Sequence, residues 1–208
     1  QPFGGRGLSG TGPKAGGPLY LGRLALQAPQ VLDAPAHVAP LVEAFANWLS
    51  GQGDAASAAA ARAMAAGSGL GIELALPGPV GETNLYALHP RGRILLRPAT
   101  REGLYGQMAA VLASGNTATV EGMALPAGLP DAVAARFAPD AGEHFAACLV
   151  EGDAEAVRAA CKAVAELPGP IVPVHVTAGP NLVWLLEEVS TSINTTAAGG
   201  NASLMMIG

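Results

Sequence analysis

Three groups of residues in this 208-residue chain could take part in chemistry. The segment Gly5-Arg6-Gly7-Leu8-Ser9-Gly10 has the G-x-G-x-x-G spacing of turns that bind a dinucleotide pyrophosphate. Cys148 and Cys161 are candidate nucleophiles, because a thiolate can attack a carbonyl carbon. Imidazole is a common metal ligand, and the chain has four histidines: His37, His89, His144 and His175.

The glycine motif lacks the elements that would make it a nucleotide site. A dinucleotide turn follows a strand and opens a helix, whose first N–H groups face the phosphates. No strand pattern precedes Gly5, and Pro13 with Gly16, Gly17 and Pro18 opposes a helix after it. We therefore interpret the match as accidental.

The two cysteines are predicted to be small core residues. Cys148 falls in the apolar strand pattern Ala146–Val150, where burial would disfavour the thiolate, and Cys161 falls within a helical pattern. Two cysteines cannot form a disulfide framework, which fits a reducing compartment.

The histidines and paired carboxylates give no metal signal. The histidines are scattered, and the chain has no Cys-x-x-Cys, so the sequence predicts no metal site. The acidic pairs Glu187-Glu188 and Glu151 with Asp153 lie near predicted helix ends. Carboxylates at such positions favour an interpretation as solvated caps.

The charge pattern argues against nucleic acid as a partner. The formal net charge is -5 and the pI is near 5.3, whereas phosphate binding needs clustered Lys and Arg. The densest positive run is Arg91, Arg93, Arg97 and Arg101, which we expect to form a solvated sheet edge rather than an anion site.

The first residues and the hydropathy of the chain bear on its location in the cell and on whether it is part of a longer protein. We find no charged-then-apolar leader and no apolar run close to the ~20 residues of a membrane span, so we expect a cytoplasmic protein. The chain begins at Gln1 rather than Met, and we expect it to be a piece of a longer protein.

The periodicity predicts alternating strands and helices after a glycine-rich loop and a proline-containing linker. The predicted helices are Val38–Leu49, Ala55–Ala66 with Asp54 as cap, Glu102–Ala113, Asp131–Phe137, Asp153–Leu167 and Asn181–Glu188. The predicted strands are Leu19–Leu26, Ile72–Leu76, Asn84–His89, Arg93–Arg97, Thr117–Glu121, His144–Val150, Ile171–Val176 and Val189–Asn194. This order predicts an α/β fold: a Rossmann-like, mostly parallel sheet with helices on both faces, plus a β-hairpin extension over Gly71–Arg91.

The string Gln1-Pro2-Phe3-Gly4-Gly5-Arg6-Gly7-Leu8-Ser9-Gly10-Thr11-Gly12-Pro13-Lys14-Ala15-Gly16-Gly17-Pro18 resembles the aldehyde-anchor end of the aldehyde dehydrogenase superfamily. It is closely similar to that of the bifunctional proline-catabolic flavoenzymes, the proline utilization A (PutA) family. The resemblance implies that the chain is a C-terminal piece of such an enzyme and that Phe3 lines the aldehyde pocket of the parent protein.

The middle of the chain looks like a degenerate copy of an aldehyde dehydrogenase cofactor domain. The likeness is carried by Leu76–Asn84, by Arg91-Gly92 and by Gly106–Thr117. Active members have Pro-Trp-Asn-Phe-Pro after the first strand, and its Asn stabilises the oxyanion, whereas this chain has Pro98–Glu102. Glu121 stands where active members have a Lys that holds the cofactor ribose, so the resemblance implies that both functions are lost.

The final segment, Val189–Gly208, strongly resembles the C-terminal motif of the longer PutA proteins, which helps to close an internal tunnel. The resemblance implies that the tunnel-closing residues are Asn194, Thr195, Gly199, Gly200, Asn201 and Ser203. We accordingly divide the chain into the end of an aldehyde dehydrogenase domain (1–28), a noncatalytic aldehyde-dehydrogenase-like domain (29–188) and this motif (189–208).

The function implied by the resemblance is structural. In the family, one site oxidises L-proline with FAD, a second site oxidises glutamate semialdehyde with NAD, and the intermediate passes through the tunnel. We expect this piece to bind no cofactor, metal or nucleic acid, to pack on the catalytic domains of the same polypeptide, and to belong to a homo-oligomer. Two alternatives are a regulatory nucleotide-binding module and an autonomous dehydrogenase; the latter would need a catalytic Cys and Glu upstream of Gln1.

Overall fold

The elements are taken from a computed structural model, which describes residues 2–5, 10, 12–21, 39–137, 144–176 and 182–194. The helices are α1 Pro40–Gly51, α2 Ala55–Ala66, α3 Arg101–Ala113, α4 Asp131–Ala134 and α5 Ala154–Ala165, and a 3-10 turn spans Leu182–Leu185. The strands are β1 Glu73–Leu76, β2 Glu82–Pro90, β3 Arg93–Arg97, β4 Thr117–Val120, β5 Ala147–Val150, β6 Val174–Val176 and β7 Leu186–Asn194.

A four-stranded parallel sheet in the order β4-β3-β5-β6 forms the centre of the fold. Successive β3 residues point to opposite faces, so Ile94 and Leu96 join the large core while Leu95 joins a smaller cluster on the other face. Helix α3 packs on the first face through Met108, and α5 packs on the second through Val164. The Rossmann-like fold with helices on both faces is therefore confirmed.

The helices α1 and α2 extend the first face of the core. Ala58, Ala61 and Ala65 of α2 are buried, and such small side chains allow neighbouring helices to approach closely. The aromatic residues in this region meet at one place, where Trp48 stacks on Phe45 and meets Tyr105 edge to face. The predicted start of α2 is also confirmed, because the Asp54 carboxylate accepts a hydrogen bond from the Ser57 N–H at 2.9 Å.

A separate antiparallel sheet has the order β1-β2-β7. The predicted hairpin extension is confirmed as β1 and β2, with Leu76 opposite Asn84. The predicted helix Asn181–Glu188 is wrong in its second half, because the chain from Leu186 onward pairs with β2 in the register Leu186↔Pro90. The last strand thus completes the hairpin sheet and does not join the parallel sheet.

Three smaller expectations also fail. The predicted strand Leu19–Leu26 does not begin at Leu19, which lies buried in a turn; its residues 22–26 fall outside the described part of the chain. The arginine run is not at a sheet edge, because β3 has β4 on one side and β5 on the other. Cys161 is exposed on α5, whereas Cys148 is buried as expected.

His175 on β6 provides a pH test of this packing. Its ring stacks on Trp184 with 5.4 Å between the centroids. Burial, assisted by the positive charge of Arg91, lowers the pKa of His175 to about 4. The unfolded chain therefore binds a proton at this residue between its ordinary pKa and about pH 4, a range in which the folded chain does not.

We expect the free energy of unfolding of the chain to fall as the pH drops from 7 to 4.5, with His175 contributing on the order of 2 kcal/mol. The variant His175→Phe keeps a ring against Trp184 but cannot titrate. Its free energy of unfolding should therefore fall by that much less over the same pH range. Urea unfolding at a series of pH values measures the difference. Parallel pH profiles for the two proteins would contradict the assignment.

Candidate functional site

The glycine-rich segment near the N-terminus folds back on itself. Phe3 and Ala15 exchange two backbone hydrogen bonds of 2.9 and 2.8 Å, and the Lys14 ammonium donates to the Gly4 carbonyl at 2.8 Å. The Phe3 side chain is 83% exposed. The aromatic ring that the resemblance assigns to an aldehyde pocket thus projects from a short bridged loop, and its role stays a prediction.

This loop is attached to the antiparallel sheet by the carboxylate of Glu188 on β7. One carboxylate oxygen accepts the Tyr86 hydroxyl of β2 at 2.7 Å, and the other accepts the Lys14 backbone N–H at 2.5 Å. Glu188 is only 5% exposed, although the sequence suggested a solvated cap. Burial and the hydrogen bond to Glu188 raise the pKa of Tyr86, so its hydroxyl stays a proton donor.

Close packing accompanies these hydrogen bonds. Leu19 lies in a small apolar cluster that includes Tyr86 and Leu186. A Cβ atom added to Gly17 would stand 2.7 Å from a carboxylate oxygen of Glu188. The glycine at this position therefore allows the backbone to approach the buried carboxylate.

The second candidate region is the carboxyl edge of the parallel sheet. β3 continues through α3 to β4, whereas β5 continues through α5 to β6, and the two helices lie on opposite faces. Ligands of open α/β sheets bind outside the carboxyl ends of two such strands. By this rule, the position for a ligand, which we call the crevice, lies between the residues that follow Arg97 and Val150.

Glu151 occupies that crevice. One carboxylate oxygen accepts the backbone N–H groups of Ala99 and Thr100 at 2.7 and 2.8 Å, and the other accepts the Thr100 hydroxyl at 2.7 Å. Thr100 is also the N-cap of α3, and its hydroxyl accepts the Gly103 N–H at 2.9 Å. The carboxylate thus takes the donors at the start of a helix that would otherwise attract an anion.

The charge of Glu151 is stabilised at this position. Burial acts to raise its pKa, but the hydrogen bonds from Thr100 and from the Ala99 N–H outweigh it, so the pKa of Glu151 is lowered. A Cβ atom at Gly103 would overlap the carboxylate. Asp153, which forms an acidic pair with Glu151 in the sequence, caps α5 as predicted. Its carboxylate accepts the N–H groups of Glu155 and Ala156.

Glu121 follows β4 at the same edge of the sheet. Its carboxylate accepts a hydrogen bond from the Arg97 guanidinium at 2.7 Å and forms an ion pair with it. The residue that the resemblance aligns with the ribose-binding Lys thus binds the end of the neighbouring strand. This pair is partly exposed, so it adds little to stability.

Two other arginines of the run, Arg91 and Arg93, lie near the amino ends of the parallel strands. Arg91 donates to the Trp184 carbonyl at 2.9 Å, and Arg93 donates to the Thr119 hydroxyl and lies over the ring of Phe145. Both line a cleft of about 270 Å³. These contacts join strands and loops of the chain itself.

The remaining candidates do not come together. Burial raises the pKa of Cys148 to about 11, which suppresses its thiolate. In the described part of the chain, no three His, Cys, Asp or Glu side chains converge on a possible metal position. His37 lies outside the described residues. None of the described helices combines the length and apolar composition needed to cross a membrane.

Of the predicted tunnel-closing residues, Asn194 ends β7 and pairs with Glu82. The others lie outside the described part of the chain: Thr195, Gly199, Gly200, Asn201 and Ser203.

Sequence reasoning missed the roles of Glu151 and Glu188. A signal was available for Glu188, since strand alternation places it on the same face as the apolar Leu186.

Comparisons place the chain among known proteins. It is 53% identical over 226 residues to the bifunctional protein PutA of Rhizobium meliloti, a match that covers 100% of this chain and 18% of that protein. It is 41% identical over 238 residues to the bifunctional protein PutA of Salmonella typhimurium, with the same coverage. The chain thus spans about a fifth of the length of these relatives. No protein-family model matches it.

The fold also resembles a solved structure. A crystal structure of a mutant of Bradyrhizobium japonicum proline utilization A (PutA) superposes with a TM-score of 0.50 at 21% identity, covering 69% of this chain and 20% of that chain. At this identity the likeness concerns the fold alone.

Substitutions at two glycines of α3 test the close contact between Gly103 and the Glu151 carboxylate. Gly103→Ala places a methyl group in the carboxylate, so we expect the free energy of unfolding to fall by roughly 1–3 kcal/mol as the hydrogen bonds of Glu151 are lost. Gly106→Ala is the matched control, because no atom lies within 4 Å of its added Cβ apart from its chain neighbours and the backbone of its own helix. It should stabilise the helix by about 0.5–1 kcal/mol. Urea unfolding of both variants measures these changes in free energy. Equal stabilisation by both substitutions would contradict the close contact between Gly103 and Glu151.

Proposed function

The chain belongs to the PutA family, and from that premise we propose that it is a noncatalytic domain of a bifunctional enzyme that oxidises L-proline to L-glutamate. Its role is to support the aldehyde dehydrogenase part of the polypeptide and to help seal the tunnel through which the reactive intermediate passes. The chemistry itself belongs to parts of the polypeptide outside this chain.

The observation that carries the proposal is the filled crevice at the carboxyl edge of the parallel sheet. A dinucleotide would need the donors of Ala99 and Thr100 for a phosphate, and the carboxylate of Glu151 already holds them. Glu121, on the adjoining strand end, binds the guanidinium of Arg97, so that cation is already engaged within the chain. The Glu151 carboxylate repels phosphate, so these residues do not fit NAD at the usual position.

The cysteines support the same proposal. Aldehyde oxidation by this superfamily needs a reactive thiolate, whereas Cys148 is buried with a raised pKa. Cys161 lies on the outer side of α5, on the face of the sheet opposite α3. Neither thiol stands at the crevice where a nucleotide-dependent oxidation would take place.

The position of β7 supports a sealing role for the residues that follow it. The strand is paired with β2 over all nine of its residues, so the first six residues of the predicted motif, Val189–Asn194, are held in the sheet. The rest of the motif therefore has a fixed starting point at Asn194. Such an origin suits a segment that must cover one particular opening.

The further parts of the proposal concern the whole polypeptide. We assign FAD and NAD to other parts of it, and we take those catalytic domains to be the principal partners of this chain. The parent protein is proposed to be a cytoplasmic homo-oligomer. Phe3 is proposed to line the aldehyde pocket from the bridged loop that holds it.

Removal of residues 195–208 from the full-length enzyme tests the sealing role. The deletion begins after Asn194 so that the β2–β7 pairing stays intact. We expect a lag before NADH forms from proline, because the intermediate must first build up in bulk solution. Progress curves of NADH absorbance with proline as substrate measure the lag.

The control is the rate of NADH formation when glutamate semialdehyde is supplied directly. Retention of that rate together with a lag from proline indicates loss of sealing, while loss of the rate indicates loss of support for the dehydrogenase. Coupled kinetics identical to those of the intact enzyme would refute the proposal.

Calorimetric titration of the 208-residue chain with NAD tests the noncatalytic assignment. We expect no binding at concentrations up to about 1 mM, which corresponds to less than roughly 4 kcal/mol of binding free energy. Binding in the micromolar range would favour the regulatory nucleotide-binding module instead.

A further inference from the structure

Glu188 is a buried carboxylate whose partners come from two distant parts of the chain. Its Oε1 accepts the Tyr86 hydroxyl, which lies on β2, and its Oε2 accepts the backbone N–H of Lys14, which lies in the glycine-rich segment. The residue is 5% exposed, and Tyr86 is fully buried. Hydrogen bonds to a buried charged group are stronger than average, and a buried carboxylate without them is strongly destabilised.

The sheet does not need Glu188 for its own pairing. β7 pairs with β2 through backbone hydrogen bonds from Leu186 to Asn194. The Lys14 N–H, in contrast, joins the segment to the sheet through the side chain of Glu188, and Gly17 lies against the same carboxylate. Loss of the carboxylate should therefore release the segment and leave the sheet in place.

The released segment is the one that carries Phe3. Ala15, which follows Lys14, exchanges backbone hydrogen bonds with Phe3, and the Lys14 ammonium donates to the carbonyl of Gly4. The position of the bridged loop is thus set by where Lys14 is held. A change at Glu188 would be transmitted to Phe3 through Lys14 and the backbone hydrogen bonds between Ala15 and Phe3.

We propose that Glu188 is a positioning residue for the aldehyde site: its buried carboxylate fixes the glycine-rich segment on β7 and so places Phe3 against the substrate. This inference rests on the proposed function, because it takes Phe3 to line the aldehyde pocket of the parent enzyme. Glu188 acts through Lys14 and does not itself touch the substrate.

The variants for the test remove the carboxylate or one of its partners. Glu188→Leu keeps the approximate size of the side chain and removes both acceptors, so neither the Lys14 N–H nor the Tyr86 hydroxyl keeps its partner. Tyr86→Phe removes only the hydroxyl and leaves the Lys14 contact. Glu155→Leu on α5 is the matched control, since it removes an exposed carboxylate far from this contact.

The first measurement is amide hydrogen exchange in the full-length enzyme. Exchange over residues 12–19 should accelerate about tenfold or more in Glu188→Leu, less in Tyr86→Phe and not at all in Glu155→Leu. Exchange over β2 and β7 should stay as in the unmodified enzyme. Unchanged exchange over residues 12–19 in Glu188→Leu would overturn the inference, as would equal acceleration throughout the sheet.

The second measurement is steady-state oxidation of the semialdehyde by the same variants. Glu188→Leu should raise KM for the aldehyde several-fold with kcat little changed, because substrate placement is affected and the reacting groups are not. Unaltered KM despite faster exchange would overturn the positioning role. A failure of the sealing proposal is seen separately, as the absence of a lag when residues 195–208 are removed.

Discussion

The pairing of β7 with β2 is the contact on which the two candidate regions depend. It brings a strand near the end of the described chain against a hairpin that lies about a hundred residues earlier, with Leu186 opposite Pro90 and Asn194 opposite Glu82. This register turns Glu188 inward beside Tyr86, and the inward carboxylate in turn holds Lys14. A shift by one residue would turn Glu188 to the other face and leave the glycine-rich segment without its anchor.

The parallel sheet has the topology of a ligand-binding α/β fold, but a side chain of the chain itself takes the donors at its carboxyl edge. The strand order and the helices on opposite faces define the crevice there. The same helix start that would attract a phosphate instead receives Glu151, and the close approach depends on the missing Cβ of Gly103. An internal carboxylate thus satisfies these donors.

Both regions use a carboxylate bound to backbone N–H groups, but in different settings. Glu151 is partly exposed and its hydrogen bonds lower its pKa, so it acts as an internal anion at a helix start. Glu188 is buried among apolar neighbours such as Leu19 and Leu186, and it connects two segments. The first closes a crevice, whereas the second joins the loop of Phe3 to the sheet.

The sequence by itself determined the features that depend on neighbours along the chain. The bounds Ala55–Ala66, the caps Asp54 and Asp153, and the strand Arg93–Arg97 follow from periodicity and capping within a few residues. The family resemblance likewise came from contiguous motifs. Only the tertiary structure decided the roles of Glu151 and Glu188, because their partners lie 51 and 102 residues away and local patterns do not encode which elements meet.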